Sequence, residues 1–370
     1  DCCLRYLNEN PWDRLKLFKR SFKKTKLQML LRGQNIVGYK KFDDSVVSLF
    51  IKNAAKSGID IFRTFDSLND ITNIESSIRF INANNKHSQG TIAYTTSPIH
   101  NNKYWLKLAK NIEDIGASSV AIKDMSGLLR PYEAFDLITL LKKNLKIPIY
   151  LHTHATTGLS DATNLKAFEA GVDNIDTSIS SFSGTYGHTA TESFISMIYK
   201  DSKNPYDMKL LNEISEYFAN VRVKYADHEG SLKGIDTKML TNQVPGGMLS
   251  NFESQLRDLG MEEKLSDLIN EIPKIRKDLG YIPLVTPSSQ IVGTQALLNI
   301  RNSKRYESLT NEMVDLINGK YGKIKGKINK ELKELVKTNY PSKKDKDLLT
   351  VTEHKKNFKQ KCIDYELDDL

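Results

Sequence analysis

Cysteine is scarce in this sequence: Cys2, Cys3 and Cys362 are the only three in 370 residues, and all lie near the chain ends. An odd set so placed offers neither a disulfide framework nor zinc-finger spacing, so a reducing, cytoplasmic compartment is expected. Long apolar runs are also missing, and nothing approaches the roughly 20 residues that a membrane-spanning helix needs. Gly184, Gly187, Gly246 and Gly247 do not form a phosphate-binding pattern ahead of a helix, which argues against a nucleotide site. The net charge of +9 could suit nucleic acid. Aromatics, however, are not interleaved with the lysines, and clusters such as 22–26 and 342–346 read as solvated turns, so no nucleic-acid partner is expected.

What is present is more specific. Leu151-His152-Thr153-His154 follows the apolar run Ile147-Pro148-Ile149-Tyr150. Side chains at i and i+2 of a strand share a face, so His152 and His154 can grip one divalent ion. Such a pair is more often incidental than metallated, and it needs a third ligand and a fold that supplies one.

The pattern around the pair supplies the fold. Strand-like runs at 26–32, 59–65, 91–95, 119–123, 148–153 and 174–177 are each followed by a helical period, at 43–57, 70–82, 102–115, 131–143, 159–170 and 191–199. Six βα units in succession imply a parallel sheet and favour a (β/α)8 TIM barrel, here lacking its first two strands. Residues 1–203 are read as this partial barrel, strands 3 to 8. Residues 204–370 are read as a mainly helical region covering the barrel mouth, with helices at 208–225, 249–259, 262–278, 289–301 and 311–318.

Catalytic groups of such barrels sit at the C-terminal strand ends. Those ends carry Arg32, Asp66, Lys123 with Asp124, and His152 with His154. A lysine facing the interior is costly when charged, so its pKa should fall. Carboxylation would then turn Lys123 into an anionic carbamate, a metal ligand; the alternative is a simple ion pair with Asp124 or another carboxylate. Asp66 and Asn69 either orient the site or cap the next helix. His188 is expected to serve as a hydrogen-bonding residue, and His87, His100, His228 and His354 to lie at the surface.

Seven blocks carry a family resemblance: LRGQNIVGY (31–39), FRTFDSLND (62–70), IKDMSGLL (122–129), LHTHATTG (151–158), EAGVDNIDTSISSFSGTYGHTATES (169–193), NQVPGGMLSN (242–251) and VTPSSQIVGTQA (285–296). In this order they resemble the carboxyltransferase domain of pyruvate carboxylase and the oxaloacetate decarboxylase alpha chain. HATTG and SGTYGHTATES are nearest the decarboxylase alpha chain and the separate carboxyltransferase subunit of two-chain pyruvate carboxylases. The likeness spans residues 1 to about 321, and the tail after Gly322 matches poorly.

The resemblance implies biotin-dependent carboxyl transfer between carboxybiotin and pyruvate. It makes Lys123, as a carbamate, and His152 and His154 ligands of a divalent metal, with zinc favoured and manganese or cobalt the alternatives. The family's fourth ligand, an aspartate at the end of the first strand, is expected to be missing. Arg32 is implied to bind the keto acid, Tyr39 to line the same pocket, and Asp1 to support Arg32. Thr286 is implied to shuttle a proton between keto acid and biotin, with Ser289 near the biotin ring. No Ala-Met-Lys-Met sequence or ATP-grasp region occurs, so biotin must come from another domain or chain. The partners implied are a biotinylated carrier, a biotin carboxylase subunit or membrane decarboxylase subunits, and a second copy of the chain in a homodimer or higher homo-oligomer. Two other readings are a non-catalytic remnant and an acyl-thioester lyase or synthase of the same barrel superfamily.

Overall fold

The computed structural model describes residues 3–4, 7–226, 229–230, 232–302, 304–340 and 348–364. Asp1, Cys2 and His228 lie outside these residues, and the side chain of Cys362 is likewise not described. Six strands form one parallel sheet in sequence order: β1 (Gln28–Leu31), β2 (Ile61–Phe65), β3 (His87–Ala93), β4 (Ser119–Asp124), β5 (Ile149–Thr153) and β6 (Asn174–Ile175). Helices α1 (Pro11–Ser21), α2 (Asp44–Lys56), α3 (Thr72–Ala83), α4 (Asn102–Asp114), α5 (Pro131–Asn144), α6 (Ser160–Glu169) and α7 (Thr191–Ile198) accompany the strands. The arrangement is the partial barrel expected. β3 begins earlier than the sequence pattern indicates, because polar His87, Ser88 and Gln89 mask its start.

Alternation along the strands separates two environments. The outward residues Ile92, Val120, Ile122, Ile149 and Leu151 pack with Ile78, Ile112, Leu137 and Leu141 of α3, α4 and α5. Leu31 and Phe62 pack similarly against Val47 and Ile51 of α2. The inward face is polar: Arg63 pairs in register with Gln89, and Lys123 with His152. Arg63, Gln89 and Lys123 are all buried. Burying such groups is costly unless they find partners, and the curl of the sheet supplies them across the interior. Arg63 of β2 bonds Asp176, just beyond β6, although four strand positions separate them.

Helix starts use the expected signals. Asp43 caps α2 by accepting from the Ser45 N–H, and Asn101 caps α4 by accepting from Tyr104; each such cap contributes about 1 kcal/mol. Beyond the barrel follow α8 (Met208–Val223), α9 (Met239–Asn242), α10 (Gly246–Asp258), α11 (Leu265–Asp278), α12 (Ser288–Arg301), α13 (Asn311–Ile317), α14 (Lys330–Asn339) and α15 (Val351–Asp364). A second core joins α9 to α14 through Met239, Phe252, Ile272, Val292, Met313 and Val336. Leu68, from the loop after β2, belongs to that core and ties it to the barrel rim. No helix among the described residues is long and apolar enough to cross a membrane.

Two of the histidines expected at the surface are only partly exposed. His87 bonds the Ser119 hydroxyl, and His100 bonds Ser97 while stacking on Trp105. The spacing gave no sign of these contacts, since the partners come from loop folding and a neighbouring strand. His354 is exposed, as expected. Burial, with Arg276 nearby, pushes the His100 imidazole down from 6.5 to about 4. As pH falls the unfolded chain therefore takes up this proton first, so its contribution to stability is full above about 6.5 and declines toward about 4. We predict that His100→Gln makes the urea midpoint fall less steeply than wild type between pH 6.5 and 4; parallel profiles would assign the acid sensitivity to other groups.

Candidate active site

The site is built where β2, β4, β5 and β6 end. His152 is the fourth residue of β5, and His154 follows the strand. A Gly-containing loop after β6 returns His188 beside them. Ring centroids lie 4.3 Å apart for His152 and His188, 4.5 Å for His154 and His188, and 5.1 Å for His152 and His154. One ligand atom from each residue lies within 4.8 Å of the others.

Hydrogen bonds orient the three rings alike. His152 Nδ1 lies 2.7 Å from Asp176 Oδ2, His154 Nδ1 lies 2.7 Å from the Tyr186 carbonyl, and His188 Nδ1 lies 2.8 Å from the Thr153 carbonyl. Each acceptor favours the tautomer with its proton on Nδ1, leaving Nε2 with a lone pair; at His152 the shorter contact to the carboxylate of Asp176 outweighs Arg63 Nη1, which lies 3.0 Å from the same Nδ1. The Nε2 atoms of His152 and His154 are 3.3 Å apart. Two nitrogens on one tetrahedral zinc, at bonds of about 2.0–2.1 Å, are separated by about 3.3–3.4 Å. The donor set therefore fits a divalent ion. Burial pushes the His152 ring down to about 4 and the His154 ring down to about 3, neighbouring histidines adding to both effects. Both stay neutral and able to donate a lone pair at ordinary pH.

Asp176 is held in turn. Arg63 donates to it through both terminal nitrogens, and Arg63 Nε donates to Gln89 Oε1 at 2.5 Å. Although burial opposes it, the hydrogen bonds from His152 and Arg63 hold the Asp176 carboxyl well below the usual carboxylate range. Asp176 is thus the ionised acceptor that both Arg63 and the His152 Nδ1–H require.

Lys123 sits one strand away, in register with His152. Its ammonium lies 5.1 Å over the Phe65 ring. Burial pushes its pKa down to about 8, with Arg63 and Arg32 acting in the same direction. The alternative ion pair with Asp124 does not form. Asp124 is instead consumed by the N–H groups of Leu128 and Leu129 and by the Thr153 hydroxyl.

Arg32 directly follows β1 and is locked by the loop beyond it. Its Nη1 donates to the carbonyls of Val37 at 2.9 Å and Gly38 at 3.1 Å, and its guanidinium lies 5.3 Å from the Tyr39 ring. Gly33, at φ +44°, allows this turn; a Cβ there would stand 2.3 Å from the Asn73 carbonyl. Asp66 and Asn69 shape the neighbouring loop. Asp66 accepts from Leu68, Asp70 and Asn73, and Asn69 exchanges two hydrogen bonds with the Ala93 backbone.

The C-terminal region closes over these strand ends. Val285 packs against Phe65 and Ala93, with Leu30 and Met125 alongside, which places Thr286 at the barrel mouth. Ser289 is buried one helical turn further on. Arg276 donates to the Thr95 hydroxyl at 2.9 Å and the Thr96 carbonyl at 3.0 Å, and Gln243 donates to the Thr96 hydroxyl at 2.9 Å. Of the expected site residues, the structure groups Lys123, His152 and His154, pairs Arg32 with Tyr39, and sets Thr286 and Ser289 on the cover; Asp1 lies outside the described residues. Sequence reasoning missed Arg63, Gln89 and Asp176, and it placed His188 among hydrogen-bonding residues without seeing that this bond aims the ring at the other two. A charged residue in the strand IFRTF was the available signal for Arg63.

Residues 63–217 match the HMGL-like family, and residues 239–368 match the conserved carboxylase domain. The second match runs through the tail that the sequence blocks had left poorly matched. Over 335 residues the chain is 48% identical to a pyruvate carboxylase subunit of Methanocaldococcus jannaschii, covering 90% of this chain and 59% of that protein. It is 45% identical to the methylmalonyl-CoA carboxyltransferase 5S subunit of Propionibacterium freudenreichii, covering 87% and 64%. The carboxyl transferase domain of Rhizobium etli pyruvate carboxylase, solved with pyruvate, superposes with a TM-score of 0.92 at 32% identity, covering 100% of this chain and 65% of that one. The fold is that of a carboxyltransferase domain on a TIM barrel. The chain belongs to the pyruvate carboxylase and oxaloacetate decarboxylase alpha chain family, and it spans about six tenths of the length of the curated relatives named.

Partners behind metal-binding histidines typically raise affinity about 10- to 100-fold. Asp176→Asn should weaken zinc or cobalt binding by that factor in competition with a chromophoric chelator. Unchanged affinity would show that Asp176 does not orient His152 for a metal.

Proposed function

We propose that this chain performs the carboxyltransferase half-reaction of a biotin-dependent enzyme, moving a carboxyl group between carboxybiotin and a 2-oxo acid of the pyruvate and oxaloacetate pair. The observation that carries this reading is the convergence of Lys123, His152 and His154 at strand ends beneath Thr286, a residue supplied by the cover. Biotin is carried by another domain or subunit. The metal-binding group is His152 and His154 with Lys123 as its carbamate, and zinc best suits the imidazole donors. A depressed lysine pKa favours the neutral amine, the form that attacks carbon dioxide.

Each residue has a physical task. Transfer requires a pyruvate methyl proton to leave and negative charge to build on the keto oxygen, which water stabilises poorly. When bound, the metal supplies a Lewis acid for that charge. Arg32 holds the substrate carboxylate, fixed in place by the Val37 and Gly38 carbonyls so that little reorganisation is needed. Tyr39 flanks the same guanidinium. Thr286 relays a proton between the two substrates: its hydroxyl is too weak an acid to act unaided, so proximity is its contribution. Val285, wedged among Phe65, Ala93 and Met125, excludes water beneath it. Ser289, on the first turn of α12, faces the biotin side, and Asp1 is assigned to support Arg32.

An acyl-thioester lyase or synthase would share the barrel, and the HMGL-like match covers only residues 63–217. The conserved carboxylase match covers the residues that bring Thr286 to the mouth, and this favours carboxyl transfer. With the full-length protein, Thr286→Ala should reduce biotin-stimulated oxaloacetate decarboxylation by about 100-fold or more while metal content stays unchanged. Equal rates in mutant and wild type would remove Thr286 from the reaction.

A further inference from the structure

The helical region holds a cleft of about 750 Å³ whose wall includes none of the residues grouped at the strand ends. Leu316, Ile317, Ile324 and Ile328 give it an aliphatic surface, and Lys323, Lys327, Lys330 and Lys333 bring four ammonium groups against the single carboxylate of Glu334. We infer that this cleft is a binding site for a small aliphatic diphosphate, with the phosphates on the lysines and the hydrocarbon part on the leucine and isoleucines. The inference does not depend on the carboxyl-transfer reading.

The charge there is uncompensated. Among the described residues none of the four lysines enters an ion pair, although the neighbouring Lys320 is matched by Asp315 at 2.9 Å. Lys330 is the first residue of α14, and Lys333 follows one turn later. A helix N-terminus carries partial positive charge, so cations gathered there are disfavoured. Glu331, the acid of that turn, is not part of the cleft wall. A bound anion reverses the sign of the interaction with the helix end and meets the ammonium groups at the same time. Lysine, a compact charge with three donors, suits phosphate oxygens, and the wall has no arginine fork of the kind that selects planar carboxylates.

Size and lining narrow the ligand further. The volume lies within the range of about 300–1,000 Å³ that small-molecule sites occupy. No aromatic ring lines the cleft among the described residues, so a base would find no stacking platform, which argues against a nucleotide or single-stranded nucleic acid. Leu316 and Ile317 belong to the second core, and Ile324 and Ile328 pack against it, so the aliphatic wall is held in place.

The segment 321–329 that forms much of this wall is fastened at both ends. Asn73 donates to the Tyr321 carbonyl at 2.9 Å, and Asp70 accepts from the Lys323 N–H at 2.7 Å, tying one end to the barrel. At the other end the Asn329 N–H donates to the Asp278 carbonyl at 2.7 Å. Between them a Cβ at Gly326 would stand 2.0 Å from the Gly280 carbonyl oxygen, so the segment lies directly against another stretch of backbone. A wall fixed in this way loses little freedom when a ligand arrives.

Calorimetric titration of the full-length protein tests the site with two probes, n-hexyl diphosphate and inorganic pyrophosphate. Burying two methylene groups is worth about 10-fold in affinity, so hexyl diphosphate should bind more tightly than pyrophosphate by at least that factor. The double variant Lys327→Gln with Lys330→Gln should weaken hexyl diphosphate binding by about 10-fold or more; both lysines are exposed, so their replacement leaves the core intact. Lys209→Gln, at an exposed lysine of α8, should leave binding unchanged. Equal affinity for the two probes, an equal loss in Lys209→Gln, or no binding of hexyl diphosphate at millimolar concentration would overturn the inference. A hexaglutamate peptide that bound more tightly than hexyl diphosphate would overturn it too, by assigning the cleft to an acidic protein segment.

Discussion

The ion pair between Arg63 and Asp176 is the constraint on which the rest of the site depends. A guanidinium in the middle of a buried strand cannot stay there unpartnered, because the charge would be stranded away from water. Its partner comes from beyond β6, on the far side of the curled sheet. The pair therefore reports and reinforces the curvature that makes an interior. Arg63 is buried while the Asp176 side chain stays 27% exposed, so removing Asp176 leaves the buried charge uncompensated and is destabilising. The same carboxylate accepts from His152, so the element that closes the interior also sets a ring at the candidate site.

A second constraint acts from above. The barrel ends are polar, and the C-terminal region meets them largely through specific hydrogen bonds: Arg276 and Gln243 to the loop after β3, and the Asp236 N–H to the Thr156 carbonyl. Val285 supplies the apolar seal. Burial pushes the Arg276 guanidinium down to about 10, which still leaves it charged at neutral pH. Its oxygen partners, Thr95, Thr96, Tyr281 and Ile282, form a cage of neutral acceptors that can hold a cation without neutralising it. The cover is thereby fixed in orientation, and Thr286 inherits that precision from its neighbours.

Periodicity made the barrel legible because strand and helix differ in a way that apolar residues reveal. The ends of strands were legible for the same reason, and with them Arg32, Lys123, His152 and His154. Pairing across the interior was not. Arg63 and Asp176 are separated by more than a hundred residues, and Asp176 sits in a segment whose strand is only two residues long. His87 and His100 were misjudged because their burial comes from partners that no local pattern announces. His188 was read as a hydrogen-bonding residue, yet the direction of its second nitrogen depends on a loop whose path spacing cannot supply. The tail escaped notice because amphipathic helices such as α14 are covered with lysine, and only Leu332 and Val336 mark the buried face.

Electrostatics then narrow the chemistry. Arg32, Arg63 and Lys123 all press on one small region, and Asp176 answers only one of them directly. Protonated, Lys123 would add to an excess of positive charge, and burial first, then repulsion from Arg63 and Arg32, is why its proton is held weakly. Two ways of relieving the excess are chemically distinct. An anionic substrate at Arg32 would neutralise it from outside, whereas a carbamate on Lys123 would reverse the sign of one member from within. A metal held as proposed would add positive charge beside the same lysine and so make the second way more favourable. In the proposed reading the two would reinforce each other: with Lys123 as an anionic carbamate, Arg32 would remain as the fixed cation for a substrate carboxylate, and the site would hold an anion without competing positive charge.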